Sequence, residues 1–482
     1  MFSTRSSFGN LPSRAHRFVA GAALAGSLLL STPAASANPI ALTSTWEASQ
    51  AKAALSLIDT ADATTLLADW DLQANSTELA NRTSALLMRH VAEVSGDPKL
   101  WQNKAELYKF ARAIRNERIV PYLRAMTAPN PVYEGLKVAQ IRYMEIESNG
   151  GWPRIPNGPK IALGATGERV QLLRQRLRAS ADLPQSSAES DSFDTELQAA
   201  VRRFQERHNL PADGIVGDRT LRELNVPVHK RIAAIRLSRS RAEELPAGSR
   251  ADYVWVNIAG ARTHLVRQQQ TIWTGRSVVG KRKTQTPEMS SQIDTLVLNP
   301  FWMVPDSIAK RTLLPRAARD PGFLARMKYR AFDDSGRQLS LADTDWSSVA
   351  SGKGPQVRLM QSPGPHNALG KVKFLFPNRH AVFLHDTPMK KGFQRNQRTL
   401  SNGCVRVEGA LSLAAMLLEP QGWNRDRIER SLAKGKPVKL NLEKPLPVHT
   451  LYLTAMPQAD GKVSFYNDSY GRDTSSALAQ LN

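Results

Sequence analysis

The sequence predicts a multidomain protein: a helical N-terminal scaffold, a small three-helix module, and a mainly β C-terminal domain with a helical insertion. Three observations predict this fold class. The 482 residues exceed what one hydrophobic core usually organises. Apolar residues recur at helical spacing through the first half of the chain, and glycine is scarce before residue 148. From Tyr253 onward, Val, Ile, Thr and Trp alternate with polar residues, which is typical of strands.

Residues 1–37 have the features of a cleavable secretory signal peptide. Three arginines precede an apolar stretch from Phe18 to Leu30, and small residues end at Ala37 as a cleavage site would. An uncleaved membrane anchor is the alternative, and it is less favoured because the stretch is short and contains two glycines. We therefore expect a protein exported to the periplasm, without stable membrane insertion after signal cleavage.

The net charge of +22 would ordinarily suggest a nucleic-acid partner. We do not expect one, because the basic residues are spread along the chain, no nucleic-acid-binding motif is present, and export removes most nucleic acid from reach. An anionic envelope, either lipid head groups or carboxylate-rich wall peptides, is the more economical partner.

Residues 38–160 are predicted to form the helical scaffold. Its clearest stripe places five apolar residues on roughly one face of a helix, namely Leu79, Leu86, Leu87, Val91 and Val94. The turn-rich segment 148–159 marks the boundary to the next domain. No residue pattern in this region indicates chemistry.

Residues 161–226 are predicted to form the three-helix module. Asp194 is placed to cap its second helix, and Gly214 and Gly217 form the turn before the third. Residues 227–250 then read as a basic connecting helix that ends at a proline and glycine break.

Residues 251–445 are predicted to form the mainly β domain. The strand pattern stops at about 305–354, which we interpret as a helical insertion and a candidate lid. Residues 408–420 are predicted to form a helix directly after the cysteine. Residues 446–482 are expected to supply late strands that pack on this domain.

Cys404 is the only cysteine of the chain, so it cannot form an internal disulfide. It could be a buried apolar filler, an intermolecular link or a reactive thiolate. Nucleophilic chemistry needs a nearby base and donors for an oxyanion. Gly403 would let the backbone approach a ligand closely, and Arg406 and a helix beginning near Val407 would lower the pKa of the thiol or bind an anion.

His385 is the best candidate base among the four histidines of this region, which are His264, His366, His380 and His385. Strand alternation places it at a strand end, although a lone histidine is more often structural. Asp386 should point to the opposite face. We therefore expect a backbone carbonyl, and not Asp386, to orient the imidazole.

A histidine followed 19 residues later by Cys404 within Ser-x-Gly-Cys-x-Arg resembles the signature of the YkuD-type L,D-transpeptidases. The segments "GGWPRIPNGP", "LNPFWMVPDSIA", "QSPGPHNALGKVKFLFPN" and "LHDTP" extend the likeness to the large YcbB-like branch. Many members have Ser-His-Gly-Cys with asparagine two residues later, whereas this chain has Asn402 and Arg406, so no role can be carried over to those two residues. The segment "AVRRFQERHNLPADGIVGDRTLREL" is similar to the peptidoglycan-binding domain 1 family, whose modules either bind peptidoglycan or act as spacers.

The resemblance implies that Cys404 attacks the third residue of a tetrapeptide stem, with His385 as general acid and base and the backbone amides of Gly403 and Cys404 at the oxyanion. A second stem amine would then close a 3→3 cross-link. Candidate substrate-binding residues are Ser401, Asn402, Arg406 and Trp302, although core packing suffices to explain the last.

Several alternatives stay open. Water as the acceptor would make the protein an L,D-carboxypeptidase or a cysteine endopeptidase, and a protein amine would make it attach lipoproteins. A catalytically silent peptidoglycan-binding scaffold is a further reading. Peptidoglycan stem peptides are the expected partners, with other cell-wall enzymes as further candidates. No HExxH motif, paired cysteine motif or phosphate-binding glycine loop occurs, so neither a metal nor another cofactor is expected.

Overall fold

The computed structural model describes residues 46–72, 76–95, 100–249 and 251–479. The predicted signal peptide lies outside the described residues. Within these ranges, no helix is both long and apolar enough to cross a membrane. All of the described residues belong to one compact unit.

The described residues contain seventeen α-helices. They are α1 (Ala48–Leu55), α2 (Ala61–Leu72), α3 (Thr77–Ser95), α4 (Lys104–Arg115), α5 (Ile119–Thr127), α6 (Pro131–Ser148), α7 (Glu168–Ala179), α8 (Thr195–Arg207), α9 (Asp218–Leu224), α10 (Val228–Ala242), α11 (Asp306–Ile308), α12 (Leu314–Arg319), α13 (Phe323–Arg326), α14 (Trp346–Ser351), α15 (Ala410–Leu418), α16 (Arg425–Ala433) and α17 (Ser475–Ala479).

The same ranges contain fifteen strands. They are β1 (Tyr253–Asn257), β2 (Arg262–Arg267), β3 (Gln270–Gly280), β4 (Met289–Leu298), β5 (Trp302–Met303), β6 (Tyr329–Phe332), β7 (Gln338–Leu339), β8 (Arg358–Gln361), β9 (Val372–Leu375), β10 (Leu384–His385), β11 (Thr399–Ser401), β12 (Val405–Val407), β13 (Val438–Leu451), β14 (Ala455–Pro457) and β15 (Val463–Phe465).

Helices α1 to α5 pack around buried aromatic residues, as the helical pattern predicts. The indole N–H of Trp46 donates to the hydroxyl of Ser84 at 3.0 Å, and that of Trp70 donates to the hydroxyl of Thr83 at 2.9 Å. Both hydroxyls belong to α3, so the two buried donors are satisfied on the helix that carries the predicted apolar stripe. Of that stripe only Val94 is half-exposed.

Helices α7, α8 and α9 form the predicted three-helix module around their own apolar core. Asp194 caps α8, since its carboxylate accepts the backbone N–H of Leu197 at 2.8 Å. Arg207, at the end of α8, forms a buried ion pair with Asp182. Its guanidinium also donates to the carbonyl of Val463 at 2.9 Å, which joins the module to the C-terminal hairpin.

The β domain is built on a nine-stranded sheet with the strand order β11-β3-β12-β10-β9-β4-β13-β1-β2. Strand β2 also pairs with β3, which closes eight of these strands into a ring. Alternate residues face a core that includes Val254, Leu296, Phe374 and Val405, and α15 packs its apolar residues into the same core. The opposite face of β9, β10 and β12 is therefore left for polar side chains.

The sequence predicts a helical insertion at 305–354. In the structure this segment is not purely helical, because it also has a small sheet and a core of its own. Strands β6 and β7 lie within it, and β5 and β8 from its flanks complete a four-stranded sheet in the order β5-β8-β6-β7. Its core contains Phe323, Trp346 and Leu359. The prediction missed these strands because two to four residues are too few to show a period of two.

The structure departs from one boundary expected in the C-terminal region. Strand β13 runs through the boundary expected after residue 445, because its fourteen residues pair with β4 and then with β1. The β14–β15 hairpin packs on the β domain as expected, and it packs on the scaffold as well. It shares one apolar cluster with α6, α10 and the β1 residues Tyr253 and Trp255, so it ties the scaffold to the β domain.

Candidate active site

The candidate site lies on the polar face of three neighbouring strands, β9, β10 and β12. Lys373 is opposite His385 in the β9–β10 register, and His385 is opposite Arg406 in the β10–β12 register. Residues that oppose each other across paired strands project to the same face of a sheet. The register therefore places an imidazole between two cationic side chains.

Cys404 joins this face because it precedes Arg406 by two residues, the repeat of a strand. With strands about 4.8 Å apart and a rise of about 3.3 Å per residue, its Cα lies roughly 8 Å from that of His385 along the diagonal. The side chain is half-buried, and its thiol points to the carbonyl of Ala381 with a sulfur–oxygen distance of 3.8 Å. The face thus combines a thiol with a buried imidazole.

The backbone of Gly403, the residue before the cysteine, is held at both its N–H and its carbonyl. The N–H of Gly403 donates to the hydroxyl of Ser401 at 3.1 Å, and its carbonyl accepts from the hydroxyl of Thr286 at 2.7 Å. Thr286 is buried, and its own hydroxyl oxygen accepts the N–H of Gly280 at 2.9 Å. Within the described ranges the N–H of Cys404 donates to no acceptor, so this amide is available at the site.

Glycine at position 403 is explained by its backbone conformation and not by close packing. Its φ is +123°, whereas an added Cβ would meet its nearest neighbours at an ordinary 3.8 Å. Other residues rarely adopt such a φ. The structure therefore adds a conformational reason for glycine at this position, and the close approach of a ligand to its backbone stays a prediction.

His385 is buried and oriented as the sequence predicts, by a backbone carbonyl. Its Nδ1 lies 2.5 Å from the carbonyl oxygen of Asp386, which assigns the proton to Nδ1 and leaves Nε2 as the basic nitrogen. The carboxylate of Asp386 is used elsewhere: it accepts the N–H of Lys371 at 2.9 Å and pairs with Lys390. A Cys-His-Asp triad is therefore absent from this part of the chain.

Burial, and then the charge of Arg406, lowers the pKa of His385 to about 4. Burial raises the pKa of the Cys404 thiol, against the opposing effects of a hydrogen bond with the backbone of Phe383 and of Arg406. The sequence predicted a lowered thiol pKa, partly from a helix beginning near Val407. That expectation is wrong, because burial outweighs the lowering effect of Arg406 on the thiol pKa. In addition, β12 follows the cysteine and α15 begins only at Ala410. At neutral pH both groups are neutral.

Arg406→Gln should raise the pKa of His385. Removing a positive charge stabilises the imidazolium, so the imidazole should begin to titrate at higher pH than in the wild type. The measurement is an NMR titration of the His385 ring protons from pH 8 to about pH 3, which spans the wild-type pKa of about 4. Arg219→Gln, an exposed arginine in α9, is the control and should leave the pKa unchanged. An unshifted His385 in the Arg406 variant would contradict this electrostatic account.

The remaining predicted substrate-binding residues, Ser401, Asn402 and Trp302, do not lie together. Ser401 is buried beside Gly403, and Asn402 is exposed between them. Trp302 lies in β5 and packs against the core of the insertion, with its ring centroid 6.3 Å from that of Tyr329. The structure therefore gives Trp302 the packing role that the sequence favours.

Sequence reasoning missed several residues that shape the site, notably Lys373, Thr286 and the loop before His385. Asn378 organises that loop: its amide donates to the carbonyls of Phe376 and Val382, and its oxygen accepts two backbone N–H groups. Ala381 has a φ of +51°, a left-handed conformation that costs roughly 1–2 kcal/mol for a residue with a Cβ. Of these residues, only Lys373 could have been found from the sequence, through the strand-like alternation of "KVKFLF".

Within the described ranges, no group of three or more His, Cys, Asp or Glu side chains is arranged to hold a metal ion.

Comparison with known proteins gives one curated relative and several solved structures. Over 229 residues the chain is 35% identical to a protein of Haemophilus influenzae named "Putative L,D-transpeptidase", which covers 48% of this chain and 46% of that protein. The match thus spans about half the length of the relative.

Two solved structures are an L,D-transpeptidase from Stackebrandtia nassauensis (14% identity, TM-score 0.25, 62% of this chain and 96% of that one) and one from Xylanimonas cellulosilytica (16% identity, TM-score 0.20, 61% of this chain and 99% of that one).

Two family models match separate parts of the chain. Residues 166–224 match the family described as "Putative peptidoglycan binding domain" and correspond to the module of α7, α8 and α9. Residues 251–440 match the YkuD family, described as an L,D-transpeptidase catalytic domain, and include every residue of the polar face described above. The chain therefore joins a module that matches a putative peptidoglycan-binding domain to a β domain that matches the YkuD family of L,D-transpeptidase catalytic domains.

Proposed function

We propose that this protein is a peptidoglycan L,D-transpeptidase that forms 3→3 cross-links by cysteine acyl transfer. The observation that carries the proposal is that Cys404, His385 and Arg406 share one face of the YkuD-family domain. The thiol is the nucleophile, the imidazole is the general acid and base, and the cationic side chains bind the carboxylates of the substrate.

The first half-reaction forms a thioester. Nε2 of His385 removes the proton of Cys404 as the sulfur attacks the carbonyl of the third residue of a tetrapeptide stem. The tetrahedral intermediate then collapses, the peptide bond to the terminal D-alanine breaks, and the imidazolium returns its proton to the leaving amine. Because the thiol first points to the carbonyl of Ala381, it must rotate away from that acceptor to reach His385.

The N–H of Cys404 is the donor best placed for the oxyanion, since it has no acceptor within the described ranges. The N–H of Gly403 was expected to assist. It can do so only when its hydrogen bond to Ser401 opens, so its contribution depends on a rearrangement of the "SNGC" turn.

Arg406 and Lys373 flank the imidazole and suit an anionic stem. The Nε of Arg406 is buried and has no partner among the described residues, and an unpaired donor of this kind favours a charged ligand. Lys373 lies on the other side of His385 in register. Together they would hold a stem carboxylate and keep the imidazole neutral.

The second half-reaction transfers the acyl group to an amine. His385 deprotonates the side-chain amine of a second stem, which attacks the thioester and releases the thiol. Water in place of this amine would give carboxypeptidase or endopeptidase products, and a protein amine would give an attached lipoprotein. We place the reaction in the periplasm, with the peptidoglycan-binding module holding the enzyme on the wall and other cell-wall enzymes as partners.

The test is a reaction of the purified chain, without residues 1–37, with tetrapeptide-containing muropeptides. We expect release of D-alanine, 3→3 dimers detected by mass spectrometry, and a transient adduct on Cys404 equal in mass to the stem minus D-alanine. Enzyme alkylated at its single thiol is the control and should yield none of these. Tripeptides without dimers would identify water as the acceptor, and no product at all would support a silent scaffold.

A further inference from the structure

The C-terminal segment, meaning the residues between β15 and α17, contacts the loop between β3 and β4. Tyr470 of this segment is buried. Its hydroxyl donates to the carbonyl of Gly280 at 2.6 Å and accepts the N–H of Thr286 at 3.2 Å. Arg472 reaches the same loop through an ion pair with Glu288. The C-terminal segment therefore holds this loop at three points.

Tyr470, Gly280 and Thr286 are joined in a closed ring of three hydrogen bonds. The third bond runs from the N–H of Gly280 to the hydroxyl oxygen of Thr286 at 2.9 Å. Since a backbone N–H only donates and a carbonyl only accepts, the direction of each bond in the ring is fixed. The hydroxyl proton of Thr286 is then donated to the carbonyl of Gly403 at 2.7 Å. All four residues are buried, so bulk solvent does not replace a bond that is lost.

The carbonyl that Thr286 holds belongs to the same peptide unit as the N–H of Cys404. A trans peptide unit is planar, and its C=O and N–H point in opposite directions. A hydrogen bond that fixes the carbonyl of Gly403 therefore also fixes the direction of the N–H of Cys404. The constraint is needed because the φ of Gly403 is +123°, and glycine by itself populates many other φ values.

We propose that Tyr470 and Thr286 are positioning residues for acyl transfer, which orient the N–H of Cys404 toward the oxyanion. This role rests on the proposed function of Cys404 as the nucleophile. Thr286 acts directly on the peptide unit, and Tyr470 acts through Thr286. As negative charge develops on the oxyanion, the N–H of Cys404 and the carbonyl of Gly403 polarise together, so the bond from Thr286 strengthens in the transition state.

The test compares the reactions of Cys404 with two reagents, in the full chain without residues 1–37. With p-nitrophenyl acetate, the sulfur bonds to the carbonyl carbon, an oxyanion forms, nitrophenolate leaves and the thiol proton passes to His385. With iodoacetamide, the sulfur displaces iodide from a methylene carbon and no oxyanion forms. A misdirected N–H should therefore slow the first reaction alone. Adduct formation on Cys404 is followed by mass spectrometry.

Thr286→Val keeps the shape of the side chain but removes its hydroxyl. It should slow acylation about tenfold, less than the roughly 10²–10³-fold loss of a whole oxyanion donor. Thr286→Ser restores the hydroxyl and should react within about twofold of the wild type. Alkylation by iodoacetamide should stay within about twofold in both variants, because it needs no oxyanion donor.

Tyr470→Phe keeps the ring stacked on Tyr452, with a centroid distance of 5.2 Å, and removes the acceptor of the Thr286 N–H. It should slow acylation about threefold, because it acts one step further from the oxyanion. In the Thr286→Val background the same change should have no further effect, since two residues that act through one hydrogen bond are not additive.

Thr83→Val is the matched control for a general loss of stability. Thr83 is buried in α3, where its hydroxyl accepts the indole N–H of Trp70 at 2.9 Å. This variant should lower the melting temperature and leave both rates unchanged. With tetrapeptide muropeptides, Thr286→Val should lower kcat for D-alanine release and leave KM within about twofold, as expected when only the transition state loses an interaction.

Unchanged acylation in Thr286→Val, equal slowing of acylation and alkylation, or failure of Thr286→Ser to restore the rate would overturn the positioning role. If Thr286→Val does not fold, unslowed acylation in Tyr470→Phe would overturn it instead. A wild-type enzyme that the ester acylates at Cys404, but that releases no D-alanine from muropeptides, would overturn the proposed function and leave the positioning role standing.

Discussion

Cys404→Ala should abolish acyl transfer, with kcat/KM for D-alanine release falling by at least about 10⁴-fold, the scale of loss when a covalent nucleophile is removed. The chain has no other thiol, so no neighbouring cysteine can substitute. The adduct expected on the wild-type enzyme should also disappear. The measurement is D-alanine release and intact mass after incubation with tetrapeptide muropeptides.

The variant should stay folded, because Cys404 is half-buried and its sulfur contacts only backbone groups, the carbonyl of Ala381 and the backbone of Phe383. An unchanged melting temperature would confirm this. Cys404→Ser is the matched control: it retains the shape of the side chain, but a hydroxyl is a far weaker nucleophile beside a neutral imidazole. Retained turnover in either variant would remove Cys404 from the mechanism.

The local chemistry of the site could be predicted from short-range patterns. The strand-end position of His385, the backbone carbonyl that orients it and the exclusion of Asp386 all follow from the alternation of side chains within one strand. The placement of Lys373 and Arg406 on either side of His385 could not be predicted. It depends on the register between β9, β10 and β12, and register is a long-range property. The predicted direction of the thiol pKa was wrong for a related reason, because the burial that raises it depends on tertiary packing.

The domain order was predictable from periodicity, whereas the joints between domains were not. Arg207 in α8 bonds to the carbonyl of Val463, 256 residues later, and no local pattern indicates such a contact. Likewise β13 crosses the expected boundary at residue 445 because its second half pairs with β1 at the start of the domain.

His385→Gln should lower kcat/KM by about 10²–10⁴-fold, the usual contribution of a general base. The form of the pH dependence should change as well. The raised thiol pKa and a His385 pKa of about 4 mean that the wild-type enzyme keeps a neutral pair from pH 8 down to well below pH 6. Its kcat/KM should therefore show no inflection near 6.5, where an unperturbed histidine would titrate.

Acid unfolding sets the lower end of the pH range over which the neutral thiol and imidazole can be studied. Folded-state pKa values of about 4 for His385 and His449 and about 3 for His264 lie below the unfolded value of 6.5. The unfolded state therefore binds these protons first, and stability is lost as the pH falls below 6.5, by on the order of 3 kcal/mol for each histidine near pH 4. Circular dichroism at each pH separates this loss from the titration of the base.

The pH dependence of kcat/KM at alkaline pH distinguishes a general base from a histidine with only a structural role. Without its base, the variant must rely on thiolate formed by solvent, so its residual rate should rise about tenfold per pH unit up to the raised thiol pKa. The wild-type rate should stay level over the same range, and added imidazole should partly rescue the variant. A variant that is uniformly slow at every pH, and that imidazole does not rescue, would show that His385 supports the fold of the site without moving the proton.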